Sequence, residues 1–428
     1  MKGEKIMKKL KEQKGITLVA LIITIIILLI LAGILIASLT QTGLFAKAQQ
    51  AKKETENATL KENTTLKEYE EWISKYEGQP ITNVDTTKTN PEGAKPAGAI
   101  VVEGDATKGI VIKDSNDNEW VWVEVPKTIF KTAKNASEYE NIKADLIEYA
   151  KDYRSSWKDE WYAKDGNNLV TASTDNLTTE QKTLKNGCGL TYDEYQKAYQ
   201  KMLSSVYTNG GFWISRYEAG IEGTNTDETI NEVQNVRYTH TNITSNSPKA
   251  VSQANRIPYN YVYCREAQTL ASAMTTDSSK TSSLLFGIQW DLTCKFLETK
   301  TNLTTADIKT DSTNWGNYSN SSINLTKGKY NTSPPSSESK WLNVTLGAKS
   351  AEMLLTTGAS EDTKKMNIYD FAGNEWEWTL ETTSNTDHRC ARRGGIYNYK
   401  GSINPAYGHG YNYTTDSHYS IGFRSVLY

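Results

Sequence analysis

The amino-acid sequence predicts an α+β head that follows one long N-terminal helix. Three observations support this: an apolar run near the start of the chain, an Ala/Lys/Glu-rich stretch after it that lacks Gly and Pro, and a remainder that mixes strand-like alternation with helical periodicity. The 428 residues suffice for one large domain or two to three ordinary ones. A formal net charge of −2 gives no reason to expect a nucleic-acid partner.

The start of the chain predicts a membrane anchor. As a helix rising ~1.5 Å per residue, the apolar run 16–37 would extend about 33 Å, enough to cross a bilayer core of ~30 Å. The lysines before it predict a cytoplasmic N-terminus. We therefore expect a transmembrane helix over 16–37 and a single-pass cell-membrane protein with its head outside the cell.

The junction "KGITLVALII" resembles the leader of type IV prepilins. The resemblance implies a leader over 1–15 that prepilin peptidase cuts between Gly15 and Ile16, with the membrane and the type IV pilus machinery as further partners. One departure is Ala20, because pilins usually carry there a Glu that registers a subunit in its filament. A plain N-terminal anchor is the alternative.

Two segments connect the anchor to the head. Residues 38–76 contain Ala, Leu and Tyr at helical spacing and predict a helical stalk. Residues 77–97 contain Gly, Pro and Thr without an apolar run, which predicts a linker.

The head is expected over 98–428. The stretch "GIVIKDSNDNEWVWVEVP" (109–126) alternates on both sides of a polar turn and predicts a hairpin. Residues 130–208 carry Tyr and Leu at helical spacing, and two further core helices are predicted over 261–274 and 283–299. The Asn/Ser/Thr-rich stretch 300–345 predicts long surface loops.

Several motifs of the head resemble one known family. In order they are "EWVWVEVP", "GGFWISRYEAG", "REAQTLASAM", "SLLFGIQWDLTCKFL", "NIYDFAGNEWEWTLE", "CARRGGIYN" and "IGFRSVLY". Together they resemble the formylglycine-generating-enzyme-like domain, which has a C-type-lectin-like fold. The resemblance implies this fold for 98–428, with 130–208 as a helical insertion.

The same resemblance implies a structural calcium ion at the turn "DFAGNEWEW". Its ligands would be the side chains of Asp370 and Glu377 and the carbonyl groups of Gly373 and Glu375, since hard oxygen donors suit calcium. An ordinary turn with a solvated Asp is the alternative. No other cofactor is expected.

The family's enzymes hold copper with a cysteine pair between the "GG" and "GFR" motifs. No Cys occurs here between Gly395 and Tyr428, and the matching positions fall near Asn404 and His409. Copper(I) prefers soft thiolates, so we expect no enzymatic activity. The four cysteines are widely scattered and form no CxxC motif or Cys/His cluster, which disfavours a zinc site. Buried free thiols are favoured over the alternative of one or two disulfides.

The segment 396–420 has the composition of a binding surface. Seven of the 25 tyrosines lie between residue 397 and the end, interleaved with Asn, Ser, Gly and His, the residues that antibody paratopes favour. The predicted contact residues are Tyr397, Tyr399, Asn404, Tyr407, His409, Tyr411, Tyr413, Asp416, His418 and Tyr419.

This composition also resembles the variable proteins of diversity-generating retroelements, whose C-terminal repeats are randomised at adenines. We therefore expect a surface-displayed, adhesin-like receptor that binds an external protein or glycan ligand through a diversified region. One alternative is a minor type IV pilin or pseudopilin with a structural head. A formylglycine-generating-type oxidase is a third, disfavoured because the cysteine pair is missing. Aromatic-rich loops that merely close a small β domain would show a similar composition.

Overall fold

The structure is a computed structural model, and it describes residues 22–31, 52, 88–165, 168–170, 178–223, 240–332, 341–383 and 390–428. The chain divides into two compact units, Met1–Val84 and Asp85–Tyr428. In the first unit the described residues are the helix 22–31 and the helical residue Lys52. The predicted cleavage site at Gly15 and Ile16 lies outside the described residues, as does most of the predicted stalk.

The predicted transmembrane helix is corrected by the structure. The described residues 22–31 of this region are helical. Among the described residues, no helix combines the length and the apolar character that crossing a membrane requires. The predicted long N-terminal helix is therefore wrong as part of the fold, and so is the single-pass membrane localisation that depended on it.

The second unit is an α+β structure. Its helices are α1 (Pro91–Ala94), α2 (Tyr139–Tyr149), α3 (Thr179–Thr183), α4 (Tyr192–Asn209), α5 (Cys264–Ser272), α6 (Gly287–Lys300) and α7 (Thr305–Lys309), with a 3-10 turn at Lys127–Ile129. The first nine strands are β1 (Ile100–Glu103), β2 (Val111–Lys113), β3 (Glu119–Glu124), β4 (Ala163–Asp165), β5 (Asn168–Val170), β6 (Gly211–Ser215), β7 (Gly220–Ile221), β8 (Ala250–Val251) and β9 (Ser282–Leu284). The others are β10 (Asn324–Leu325), β11 (Lys329–Asn331), β12 (Leu342–Asn343), β13 (Gly347–Ala348), β14 (Leu354–Leu355), β15 (Trp376–Thr382), β16 (Cys390–Arg393), β17 (His409–Asn412), β18 (Ile421–Phe423) and β19 (Ser425–Leu427).

The larger sheet has six antiparallel strands in the order β1-β2-β3-β6-β19-β9. β2 and β3 pair across the polar turn, which confirms the predicted hairpin. Trp122 and Trp213 lie opposite each other on neighbouring strands, with ring centroids 5.1 Å apart in an edge-to-face contact. This sheet carries much of the core, and β19 lies in its interior although it comes last in the chain.

Three helices of the second unit, α4, α5 and α6, bury apolar side chains. α4 begins at a capping box on Thr191 and ends at Gly210, whose φ of +71° favours glycine. α5 and α6 confirm the two predicted core helices. α6 buries Trp290 and most of its other side chains, so it is a central helix, enclosed on several sides.

The smaller sheet positions the C-terminal region. It has four strands in the order β17-β16-β15-β18, with β15 and β18 parallel and the other pairs antiparallel. All seven residues of β15 are buried, so this strand is covered on both faces. β17 lies at the edge, within the predicted variable segment 396–420.

Candidate ligand-binding face

The predicted contact residues lie on β17 and on the two loops beside it. β17 pairs with β16 so that His409 lies opposite Arg393 and Tyr411 lies opposite Ala391. Because successive side chains of a strand point to opposite faces, His409 and Tyr411 share one side of the sheet with Arg393, and Arg392 lies on the other. The structure thus distributes the predicted residues over two sides of an edge strand.

On the first side, aromatic rings form a continuous row. The ring centroids of Tyr407 and His409 are 4.8 Å apart, and those of His409 and Trp157 are also 4.8 Å apart, both edge to face. Trp157 also approaches Tyr411, with 6.2 Å between centroids. Trp157 comes from the segment before α3, so the inserted segment contributes a side chain to this row.

A buried ionic network supports this row from beneath. Arg393 is fully buried and donates to Glu381 at 2.9 Å and to Asp291 at 2.8 Å. Arg154 donates to the other oxygen of Asp291 at 2.6 Å. Burial raises the pKa of Glu381, but Arg393 and His409 outweigh it and lower this pKa to about 2. The Glu381 carboxylate therefore stays charged at neutral pH, and together with Asp291 it holds Arg393 in a fixed position.

The network also sets the protonation of His409. Its Nε2 lies 3.6 Å from the Glu381 carboxylate, but burial and the nearby Arg393 together lower the pKa of His409. The ring is therefore neutral at physiological pH, and it contributes to the row as an aromatic surface.

On the opposite side, Arg392 lies among predicted contact residues. Its guanidinium stacks over the ring of Trp376 at 5.0 Å, and its buried Nε has no hydrogen-bond partner among the described residues. Burial lowers the pKa of Arg392 to about 10, while Asp416 and Tyr399 act in the opposite direction. A guanidinium that is always charged and lacks a full set of acceptors favours an acidic group from outside the protein.

Three of the predicted tyrosines are open to solvent. Tyr399 is 49 % exposed, and Tyr411 and Tyr413 are each 47 % exposed. Half of each side chain is thus held against the protein and half is available to a partner.

The segment after β17 turns back through its own side chains. Asn412 donates its side-chain amide to the Asp416 carboxylate at 2.7 Å, and the backbone N–H of Tyr413 donates to the same oxygen at 3.3 Å. The Nδ1 of His418 lies 2.7 Å from the hydroxyl of Ser420, and its ring packs against Tyr419 at 4.0 Å. Asp416 and His418 are thus each engaged in separate local contacts.

Two predicted contact residues have a different position. Tyr397, two residues after Gly395, is fully buried, so it contributes no exposed surface. Asn404 is partly buried, and its carbonyl oxygen lies against Gly395, where a Cβ would come within 2.1 Å of it. Gly395 has a φ of +85°, so both its conformation and this close approach require glycine.

The backbone of the region is anchored at several points by residues outside it. The N–H of Tyr407 donates to Ile308 at 3.0 Å, and the carbonyl of Tyr399 accepts from the N–H of Ser319 at 2.9 Å. The carbonyl of His418 accepts from the N–H of Tyr261 at 3.1 Å. These contacts do not depend on which side chain each predicted residue carries, which permits substitution without loss of the loop path.

The two side chains among the predicted calcium ligands already accept hydrogen bonds within the protein. Both carboxylate oxygens of Asp370 accept protein hydrogen bonds, at 2.7 Å and 2.8 Å, and both oxygens of Glu377 accept from Arg424. Among the described residues, these acids do not form a group with the spacing of metal ligands. Gly373 has a φ of +76° in a turn packed against Asn317. The carboxylates of Asp370 and Glu377 are thus held by protein donors, and the calcium site stays a prediction.

Three of the four cysteines converge, which their wide spacing in the sequence did not indicate. The sulfur atoms of Cys188 and Cys264 are 3.0 Å apart, and the sulfurs of these two and Cys390 all lie within 4.8 Å of one another. The hydroxyl of Tyr162 lies 3.8 Å from the sulfur of Cys390. All four cysteines are buried and unbridged.

Sequence reasoning missed Trp157, Arg392 and this cysteine cluster. The alternation of the strand "CARRGG" could have placed Arg392 and Arg393 on opposite faces, but no pattern pointed to Trp157. The chain matches no family model and no curated protein sequence. Its function is therefore inferred from the geometry of the described residues.

Proposed function

We propose that this protein binds a protein or glycan ligand through the side chains of its C-terminal region, residues 396–420. The observation that carries the proposal is the combination of half-exposed tyrosines with a backbone held by scaffold residues. Tyr399, Tyr411 and Tyr413 offer large amphipathic surfaces that are already partly ordered, so binding costs little side-chain entropy.

The same combination supports diversification of this region. A change at Tyr411 or Tyr413 alters the exposed surface, while the loop path continues to depend on main-chain hydrogen bonds and on Gly395. A scaffold of this kind tolerates many sequences at the same positions. We therefore include in the proposal the variable-region role that the composition predicts.

The position of Arg392 suggests the chemistry of the ligand. Its guanidinium is partly buried, stacks on Trp376 and has an unpaired Nε, while the neighbouring Asp416 carboxylate is engaged by Asn412. A carboxylate, sulfate or phosphate on the ligand would supply an oppositely charged partner for the Arg392 guanidinium. The ligand in this proposal therefore carries an acidic group, as acidic glycans and acidic peptides do.

The test is a binding screen of the purified chain on glycan and peptide arrays that include acidic members. We expect Tyr411→Ala combined with Tyr413→Ala to abolish the binding that the wild-type chain shows. Leu342→Ala is the matched control, because Leu342 is 48 % exposed on β12, in a different sheet. It should bind as the wild type does.

A third variant tests the ligand chemistry. Arg392→Gln removes one charge-assisted contact worth roughly 1.5–3 kcal/mol, so affinity should fall about ten- to a hundredfold. The proposal fails if the double tyrosine variant keeps the array pattern of the wild type. Loss of the thermal transition in that variant would assign the two tyrosines to the core and refute their role as contacts.

A further inference from the structure

The cluster of Cys188, Cys264 and Cys390 is not used by the ligand-binding face, and its chemistry is distinct. We propose that these three thiolates bind one zinc ion, which links the inserted segment, α5 and the smaller sheet beneath β17. The inference depends on the convergence of the three sulfur atoms and is independent of the ligand proposed above.

The turn that carries Cys188 is closely fitted to the cluster. The side-chain oxygen of Asn186 accepts from the backbone N–H groups of Cys188 and Leu190, each at 3.0 Å, which closes the turn. Gly187 has no room for a side chain, since a Cβ there would lie 2.8 Å from the sulfur of Cys390. Gly189 has a φ of +77°, which glycine adopts readily. The small residue at Gly187 thus lets the backbone beside Cys188 lie against the sulfur of Cys390.

The other two sulfurs come from regular elements. Cys264 is the first residue of α5, a nine-residue helix. Cys390 is the first residue of β16 and lies opposite Asn412 of β17. The three thiols are therefore held by three parts of the chain that are far apart in sequence.

The distances suit a tetrahedral site. With Zn–S bonds of ~2.3 Å, ligand atoms at the corners of a tetrahedron lie about 3.8 Å apart. The sulfurs lie within 4.8 Å of one another, with the closest pair 3.0 Å apart, so shifts of under about 1 Å would bring them to that spacing.

An oxygen atom can supply the fourth corner. The carbonyl oxygen of Thr379 lies 3.8 Å from the sulfurs of both Cys188 and Cys264. Three sulfur ligands and one oxygen ligand match the four-coordinate geometry that zinc prefers, whereas copper(I) prefers a ligand set made of sulfurs alone. The ligand set therefore favours zinc.

The third sulfur also favours a metal over a disulfide. A bond between Cys188 and Cys264 would release two protons and two electrons to an oxidant and would leave Cys390 as an isolated thiol against it. Zinc binding needs no oxidant: three thiols release three protons, and the resulting site carries a net charge of −1. Arg265, the residue after Cys264, supplies a positive charge that acts on Cys390.

The experiment measures metal content and coordination in the full chain. Protein purified under reducing conditions is stripped with a chelator, and zinc or cobalt(II) alone is then added. We expect about one equivalent of zinc by mass spectrometry, a higher thermal midpoint with zinc, and thiolate-to-cobalt charge-transfer bands with tetrahedral ligand-field absorption.

Two serine variants make the assignment specific. Cys390→Ser should lose the zinc and the cobalt bands, whereas Cys294→Ser, which changes the buried cysteine outside the cluster, should keep both. Stripping and reloading the wild-type chain tests the site even if Cys390→Ser does not fold. The proposal is overturned by equal zinc content in both variants, by copper(I) in place of zinc, or by a Cys188–Cys264 disulfide in a chain that binds no zinc after reduction.

Discussion

Replacing Arg393 with methionine tests whether the buried ionic network supports the candidate face. Arg393 is fully buried and is hydrogen-bonded to Glu381 and Asp291, at 2.9 Å and 2.8 Å. Methionine fills a similar space but leaves Glu381 without its strongest donor and Asp291 with only Arg154. Removing one partner of a buried ion pair costs about 3–5 kcal/mol, so the free energy of unfolding at neutral pH should fall by that amount.

The pH dependence gives the prediction a distinctive form. The pKa of Glu381 is lowered to about 2 from an ordinary value of 4.5, so its charge contributes stability above pH 4.5 that is lost as the pH falls towards 2. Arg393→Met removes most of this contribution. The difference between wild type and variant should therefore shrink as the pH falls from about 5 towards 2.

Denaturant titrations at neutral and acidic pH measure both effects. Arg393→Lys is the matched control: it keeps the charge but loses the two-pronged geometry, so its cost should be intermediate. A loss below about 1 kcal/mol for Arg393→Met at neutral pH, or a loss that does not change with pH, would show that the network does not stabilise the fold as described.

Three further predictions concern the scaffold. Burial raises the pKa of Glu375 well above its ordinary value, so the protonated side chain contributes stability at low pH that is lost as the pH rises. Glu375→Gln should therefore raise the thermal midpoint at pH 8 more than at pH 5. Gly373→Ala should lower the free energy of unfolding in denaturant titrations by at least about 2 kcal/mol, because its Cβ would lie 2.2 Å from a carbonyl oxygen. The control is Gly98→Ala, which has nearly the same φ but open space around it and should cost about 1 kcal/mol. Equal losses of stability in the two variants would contradict the steric argument. Tyr397→Ala should lower the free energy of unfolding by about 3–5 kcal/mol, because Tyr397 is buried. Tyr399→Ala should lower it by under about 1 kcal/mol, because Tyr399 is 49 % exposed. The reverse order would contradict the burial of Tyr397 and the exposure of Tyr399.

Local patterns predicted much of the second unit. The hairpin of β2 and β3 follows from strict alternation around a polar turn, and α5 and α6 follow from apolar spacing, because these signals depend on neighbouring residues. The transmembrane helix was predicted from apolar length alone, and the structure does not support it among the residues that it describes.

The candidate site was only partly predictable. Tyr411 and Tyr413 were predicted from composition, and the structure leaves both half exposed. Composition could not separate them from Tyr397, which is buried, because burial depends on the path of the backbone after the glycine pair. Trp157 and the convergence of Cys188 with Cys390 depend on how distant segments pack, and no pattern of neighbouring residues encodes such contacts.

The position of β18 and β19 has a consequence for any gene that varies the segment before them. β19 pairs with both β6 and β9 inside the larger sheet, and β18 pairs with β15 and forms one edge of the smaller sheet. A nonsense or frameshift change within codons 396–420 would remove the sequence of both strands. Both sheets would then be incomplete, and the exposed apolar surface would make the chain prone to degradation. Only sequences that keep the reading frame through residues 396–420 can therefore complete both sheets.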